Sequence, residues 1–272
     1  VTPTEALAQD RLATLTAPRY TLLLSSDREH RTAAQRLRYQ VFAAEPGFES
    51  AVRGITDGLD ADHFDEYSDH LLVRDELTDE VVGCYRMLTP DAATAAGGLY
   101  AATEFDVSAL DLLRPGLVEM GRACVHPDHR TGSVLGLMWA GILNYLDLTG
   151  YRWAMGCVSV PMRALPDDVP GANVRAVRDL LLAGHATAPD RRVRPIRPVP
   201  MPDAAPTRSG RAVLPPLLRG YLRLGAKVCG EPAHDPDFGV ADFVALLGMD
   251  QANDRYLDRL RSVAAQVPVI TR

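Results

Sequence analysis

Two periods of apolar residues interleave along this chain, one of two and one of about three and a half. Residues Thr4 to Thr16 read as a short amphipathic helix and YTLLLSS (Tyr20–Ser26) as a strand. Ser26-x-x-Glu29 has the form of a capping box. The helix it opens is expected to run to about Ala44, before Pro46 and Gly47. A polar, irregular segment follows to about Asp69. HLLVRDE (His70–Glu76) and EVVGCYRML (Glu80–Leu88) alternate as strands, and Asp75 to Glu80 joins them as a hairpin. Pro90 to Gly98 reads as loop, and Asp106 to Leu113 as a short helix ending before Pro115. LVEMGRACV (Leu117–Val125) is a strand. Ser133 to Leu148 is a helix so apolar that most of it must be buried.

The second half continues the alternation. YRWAMGCVSV (Tyr151–Val160), AKVCG (Ala226–Gly230) and VADFVALLGM (Val240–Met249) read as strands. Helices are expected over Ala172–Ala183, Leu214–Leu224 and about Asn253–Ala265, with an extended Pro- and Arg-rich stretch from Arg191 to Pro206. Strands and helices that interleave this way predict one α/β layer structure. A hairpin beside helix-linked strands makes the sheet mixed rather than wholly parallel. Residues 1–18 are expected to form a helical extension and residues 19–272 a single domain.

Composition narrows the class. With 272 residues, 47% of them hydrophobic, the chain can bury a substantial core. A net charge of -6 argues against a general nucleic-acid binder. The acid is concentrated: ten carboxylates lie between Asp57 and Glu80, against the single base Arg74. Such a run is either a solvated face or, in part, the lining of a site for a cationic substrate. Cys84, Cys124, Cys157 and Cys229 are widely spaced in apolar runs, as expected of reduced core thiols in a cytoplasmic protein. No secretory signal is legible, and Val1 fits a non-AUG start codon. The longest clean apolar run, Val134 to Leu143, is too short to cross a bilayer, so any membrane contact is expected to be peripheral.

The richest stretch is EMGRACVHPDHRTGSV (Glu119–Val134). As a metal site it is poor. His126 and His129 are three apart, but Pro127 breaks helical register and no second ligand cluster appears. As a thiol nucleophile Cys124 would need an exposed, electropositive setting, and it sits between Ala123 and Val125 in a strand. As an anion site the corner fares better. Arg130, Gly132 and Ser133 stand at the start of a long helix, where free N–H groups suit a phosphate.

The strand poses its own question. Under strict alternation Glu119 and Arg122 face opposite sides of the sheet. A bulge near Gly121 would bring both charges to one face. Arg86 sits in an apolar row with Val82, Cys84 and Leu88, so it either snorkels at an edge or joins a charged cluster. On the first helix Leu37 and Val41 make an apolar pair beside Arg38 and Phe42. These arginines with Asp65, Asp69 and Glu119 form a candidate network.

Several blocks together resemble a known family: RYQVF (Arg38–Phe42), FDEYSDHLLV (Phe64–Val73), VVGCYRML (Val81–Leu88), EFDVSAL (Glu104–Leu110), EMGRACVHPDHRTG (Glu119–Gly132) and the segment Leu214–Leu247. In this order they look like the ornithine-lipid-forming L-ornithine N-acyltransferases. These hemolysin-like members of the GNAT superfamily are related to acyl-homoserine-lactone synthases. The resemblance implies a mixed, mainly antiparallel GNAT-like sheet with flanking helices and no permanently bound cofactor or metal. It also implies transfer of a 3-hydroxyacyl chain from acyl-[acyl carrier protein] to the α-amine of ornithine. Charged positions carried over are Arg38, Asp65, Asp69, Arg86, Glu119 and Arg122. The corner departs from the acetyl-CoA pattern, since the glycines after Arg130 are out of register. That favours a carrier-protein phosphopantetheine over acyl-CoA.

The implied chemistry is direct attack of an amine on a thioester. Glu119 is the candidate base, and backbone N–H groups around Cys124 and Val125 the candidate oxyanion donors. Asp65 and Asp69 are expected to bind the acceptor's cations. Arg38, Arg86 or Arg122 would hold its carboxylate or brace the acids, and Phe42 would lie beside it. Val125, Arg130, Gly132 and Ser133 would receive the donor's phosphopantetheine. Leu135, Met138, Trp139, Ile142 and the strand Trp153–Val160 offer walls for the acyl chain or plain core. Arg191, Arg192, Arg194 and Arg197, with Arg208 and Arg211, are either a docking patch for an acidic carrier protein or a solvated loop. Rival readings are an acyl-homoserine-lactone synthase and a non-catalytic acyl-binding module.

Overall fold

A computed structural model describes residues 19–45, 52–130, 132–165, 167–202, 211–264 and 269–271. The expected helix over Thr4–Thr16, and with it the 1–18 extension, lies outside these residues. In chain order the elements are β1 (Tyr20–Ser25), α1 (Arg28–Ala44), β2 (Asp69–Asp75), β3 (Glu80–Leu88), α2 (Pro90–Ala95), β4 (Phe105–Asp106), β5 (Leu117–Val125) and α3 (Ser133–Thr149). There follow β6 (Trp153–Pro161), α4 (Ala172–Gly184), β7 (Arg194–Pro195), α5 (Pro216–Leu224), β8 (Lys227–Val228), β9 (Ala233–Asp235), β10 (Val240–Gly248), α6 (Asp254–Ala264) and β11 (Val269–Thr271).

The main sheet runs β11-β1-β2-β3-β5-β6-β10-β8, with β9 also on β10. Only β1·β11 and β5·β6 are parallel, so the sheet is mixed and mainly antiparallel, as expected. On one face α3 packs with α6 and with the apolar rows of β2 and β3. Its near-continuous apolar sequence follows from this: Met138, Trp139 and Ile142 are core, with Trp139 edge-on to Tyr221 at 4.7 Å. On the other face α1 covers β2, β3 and β5 through Ala34, Leu37 and Val41, which meet Leu72, Cys84 and Cys124. Beside α1 on that face lies the segment from Leu88 to Leu117, closed over Met155, Val244 and Leu246. Among the described residues no helix is long and apolar enough to cross a membrane.

Several local expectations change. The helix after β1 has Asp27 as N-cap without a side-chain cap bond, while Ser25 Oγ accepts the Asp27 N–H at 3.0 Å. Pro90 to Gly98 is not all loop. Thr89 Oγ1 accepts the Ala92 N–H at 3.3 Å, Pro90 fills the first helical position, and α2 results. The short helix expected from Asp106 is instead β4 followed by a 3-10 helix, Ser108–Gly116, that contains Pro115. Its tighter bonding lacks the α-helical ladder that a proline interrupts. The irregular stretch before Asp69 holds a 3-10 turn, His63–Glu66, capped reciprocally by Asp62 and Asp65.

The central feature is the β5–β6 junction. Their pairing ends at Glu119↔Met155, while β6 stays paired to β10 along its whole length. Gly156 sits at the parting point. A Cβ there would clash with the Met120 carbonyl oxygen. Gly156→Ala is therefore expected to lower stability in urea unfolding by about 1–3 kcal/mol, the usual cost of overpacking. No loss would mean that the strands do not approach this closely.

Candidate active site

The bulge inferred from the charge pattern is present. Cys84 pairs with Cys124 and Arg86 with Gly121, so Tyr85 faces two residues, Arg122 and Ala123. Arg122 takes a positive φ of 53°, rare for a non-glycine residue. The extra residue places Glu119, Gly121, Arg122 and Cys124 on the α1 face, while Met120, Ala123 and Val125 face the α3 core.

Arg122 thereby joins Arg38 and Arg86 around one acidic segment. Arg38 makes a two-pronged bond to Asp65, Nη2–Oδ2 2.6 Å and Nη1–Oδ1 3.1 Å, and its Nε donates to Asp60 at 2.8 Å. Arg86 Nη1 donates to Asp62 at 2.5 Å and to Asp65 at 3.1 Å. Arg122 Nη2 donates to Asp62 at 3.0 Å. Burial works against ionisation of Asp65, but Arg38 and Arg86 hold its carboxyl well below the usual carboxylate range.

This net corrects part of the sequence reading. Asp65 and Arg38 are each 1% exposed. Asp65 Oδ1 already serves two arginines, and Oδ2 serves Arg38, Gln35 and the Asp62 N–H. No acceptor room is left for a substrate cation, so the pair braces the site from behind. Asp69 is not in the cluster at all. It faces α3, where its Oδ2 accepts the Tyr145 hydroxyl at 2.8 Å. A residue on β2 paired with Met87 shares the Met87 side of the sheet, opposite to Arg86.

Where β5 and β6 part, a cleft of about 250 Å³ opens. Arg86, Glu119, Gly121 and Arg122 form one wall, and Phe42 and Phe238 meet edge-on at 5.7 Å across another. Arg122 lies 5.3 Å from the Tyr100 ring and 5.9 Å from the Phe238 ring. Its Nε lies 3.8 Å from Asp60 Oδ2, an ion pair longer than a hydrogen bond. Glu119 is 4% exposed and accepts the N–H groups of Tyr100 at 2.5 Å and Ala101 at 2.7 Å. Burial pushes its carboxyl up to about 7, against those two bonds.

Three further carboxylates line the cleft, and the sequence reading singled out none of them. Glu104, Asp235 and Asp242 bring one oxygen each within 4.8 Å of the others. Burial, then the neighbouring acids, pushes Glu104 up to about 8, and burial raises Asp242 to about 6. Ser159 Oγ donates to Asp242 Oδ1 at 2.7 Å. An acid inside the wholly buried run VADFVALLG was the legible signal.

On the donor side the candidates separate. The His126 N–H donates to Val82 O at 2.9 Å. Because N–H directions alternate, Cys124 also points its N–H at β3, while Val125 points away, to the side vacated by β6. The Cys124 thiol is pushed up by its bond to Cys84 and by burial, and is no nucleophile. Arg130 Nε donates to Val125 O at 3.2 Å, and its Nη2 pairs with Glu45 at 3.0 Å. Gly132 caps α3 in the left-handed region, φ 91°, and Ser133 opens the helix. In the basic run Arg191 stacks over Trp153 at 4.9 Å, whereas Arg208 lies outside the described residues.

A split mixed sheet with a bulged central strand and an acid-lined cleft at the split defines an acyltransferase of the GNAT class. Residues 37–140 match the acetyltransferase (GNAT) domain family. The chain is 33% identical over 246 residues to the L-ornithine N(alpha)-acyltransferase of Brucella abortus (strain 2308), covering 86% of each. It is 35% identical over 239 residues to that of Rhizobium meliloti (strain 1021), covering 83% of this chain and 79% of the relative. The chain belongs to the L-ornithine N(alpha)-acyltransferase family. Among solved structures it is similar in fold to the CoA-dependent acyl-homoserine lactone synthase BjaI with SAM and isopentyl-CoA. That similarity has a TM-score of 0.53 at 16% identity and covers 93% of each chain.

The ion net makes a stability prediction. Arg38→Met leaves Asp65 and Asp60 buried with less compensation and is expected to cost about 3–5 kcal/mol in urea unfolding at pH 7. The Asp65 share of that stability is complete above the ordinary carboxylate pKa and is lost as pH falls below it, because the folded pKa is depressed. A cost below about 1 kcal/mol would place the net among ordinary surface pairs.

Proposed function

We propose that this enzyme moves an acyl chain, 3-hydroxylated by preference, from acyl-[acyl carrier protein] to the α-amine of ornithine, giving a lyso-ornithine lipid. The observation that carries the reading is Glu119. It is a buried carboxylate titrating near neutrality, on the wall of the cleft where β5 and β6 part. A base there takes the proton that the attacking amine must lose. Arg122 lines the cleft on the same face and holds the acceptor's α-carboxylate, and Arg86 and Phe42 complete that wall. The Val125 N–H faces the thioester oxygen as negative charge builds on it. The thiolate leaves with its phosphopantetheine, whose phosphate sits against Arg130, Gly132 and Ser133 at the start of α3. Atoms balance without an acyl-enzyme: the N–C bond forms, the C–S bond breaks, and one proton passes to Glu119.

Arg38 and Asp65 act indirectly, through the arginines they orient. Similarity to the L-ornithine N(alpha)-acyltransferases of Brucella abortus and Rhizobium meliloti supports ornithine as acceptor. Support for a carrier protein is the single helix start with displaced glycines, which offers little for the second phosphate and adenine of CoA.

Two outcomes test this. Glu119→Gln should lower kcat by roughly 10²–10⁴-fold, the usual worth of a positioned base. In the wild type, ionisation of Glu119 should put a break in kcat/KM near pH 7, with activity falling as pH drops; the variant's residual activity should lack it. Retained activity in the variant removes Glu119 from the base role. The same acyl chain offered on acyl carrier protein and on CoA should give the higher kcat/KM on the carrier protein. Equal values or a preference for CoA would overturn that donor.

A further inference from the structure

We infer that His129 is a positioning residue for donor binding: it anchors the corner between β5 and α3 to β1 and β2, and so sets where the donor's phosphate is held. The inference rests on the proposed placement of the phosphopantetheine at Arg130, Gly132 and Ser133. It gives a role to a histidine that neither a metal site nor the transfer chemistry uses.

The corner leaves β5 at Val125 and forms a 3-10 turn, Pro127–His129, ahead of the residues that open α3. Pro127, Asp128 and Arg130 are exposed, so the turn has little packing of its own. The His129 N–H donates to His126 O at 2.9 Å and the Arg130 N–H to Pro127 O at 3.2 Å. These bonds shape the turn without tying it to the sheet. The His126 N–H on Val82 O fixes where the turn begins. His129 fixes where it ends. Its side chain is 12% exposed, and its Nδ1 is hydrogen-bonded to the Tyr20 hydroxyl at 3.0 Å. The two rings meet edge-on at 5.9 Å, and the same Nδ1 lies 3.9 Å from Asp75 Oδ2.

The socket that receives His129 is itself fixed. Tyr20 opens β1, Asp75 closes β2, and the two are cross-strand partners. The Asp75 side chain is fully buried. Its Oδ2 accepts Arg19 Nε at 3.1 Å and Nη2 at 2.8 Å, and its Oδ1 accepts the Leu77 N–H at 3.0 Å. The Arg19 guanidinium also lies 5.1 Å from the Tyr20 ring. The next residue after His129 is tied elsewhere: Arg130 reaches Val125 O and, at the end of α1, Glu45. Adjacent residues anchored to different elements fix the chain path into α3 before any donor arrives. A pre-formed corner spares the donor the ordering of a loop, which strengthens binding rather than chemistry.

The test compares two donors that differ by the phosphate alone, acyl-phosphopantetheine and acyl-pantetheine with the same acyl chain. Wild-type kcat/KM should favour the phosphorylated donor by about tenfold or more, the worth of hydrogen bonds to a charged group. In His129→Ala the two donors should come within about threefold of each other, through a higher KM for the phosphorylated one, with the KM for ornithine unmoved. His129→Asn, which carries a polar atom at the Nδ1 position, should restore most of the preference. Tyr20→Phe should match His129→Ala, and the double variant should be no worse than either alone. Equal use of the two donors by the wild type overturns both the phosphate placement and the inference. A wild-type preference that persists in His129→Ala overturns the inference and leaves the placement standing. An equal loss on both donors, or a fall in kcat at unchanged KM, also overturns it. Should His129→Ala fail to fold, Tyr20→Phe, which deletes a single hydroxyl, decides by the same ratio.

Discussion

Three guanidinium groups from three separate elements meet three aspartates from one short segment. Arg38 comes from α1, Arg86 from β3 and Arg122 from the β5 bulge, while Asp60, Asp62 and Asp65 lie within six residues of one another. Neither set could be buried without the other, because an unpaired charge in the interior costs several kcal/mol. The pairing ties an otherwise irregular segment to α1 and the sheet, and fixes the side of the sheet to which Arg122 turns. The strain of a positive φ at Arg122 is held in place by that ion pair and by the Tyr100 and Phe238 rings near its guanidinium.

The bulge and the parting of the strands work together. The bulge puts Glu119 and Arg122 on one face; the parting leaves the Val125 N–H unclaimed by β6 and opens the cleft. Carboxylates in this region then fall into two groups. Asp65, in the net, is held well below the usual carboxylate range by Arg38 and Arg86 against its burial. Glu119, Glu104 and Asp242 have few or no cations beside them, so burial raises them toward neutrality, where a proton can be exchanged.

Much of this was legible in the sequence, and for a physical reason. Glu119 and Arg122 conflict with strand period, and only a bulge resolves the conflict cheaply. Arg86 in an apolar row had to be neutralised. The long helices and the hairpin follow from strong periodicity. Other features depend on long-range pairing that one local window does not contain. β11 exists because β1 offers it an edge, and β9 because β10 does. Asp69 and Asp65 look alike in sequence, yet the first residue of β2 turns its side chain to α3 while the capped turn before it points to the arginines. Glu104 lies far in sequence from Asp235 and Asp242, so only the fold reveals the three as one group.

The proposed mechanism puts the acceptor's reacting α-amine at Glu119, on the wall of the cleft where β5 and β6 part. The position of the acyl group on ornithine reads that orientation directly. Tandem mass spectrometry of the product from the purified enzyme, acyl-[acyl carrier protein] and ornithine should find acyl on the α-nitrogen alone. Acylation of the side-chain nitrogen, or a mixture of the two, would contradict the account.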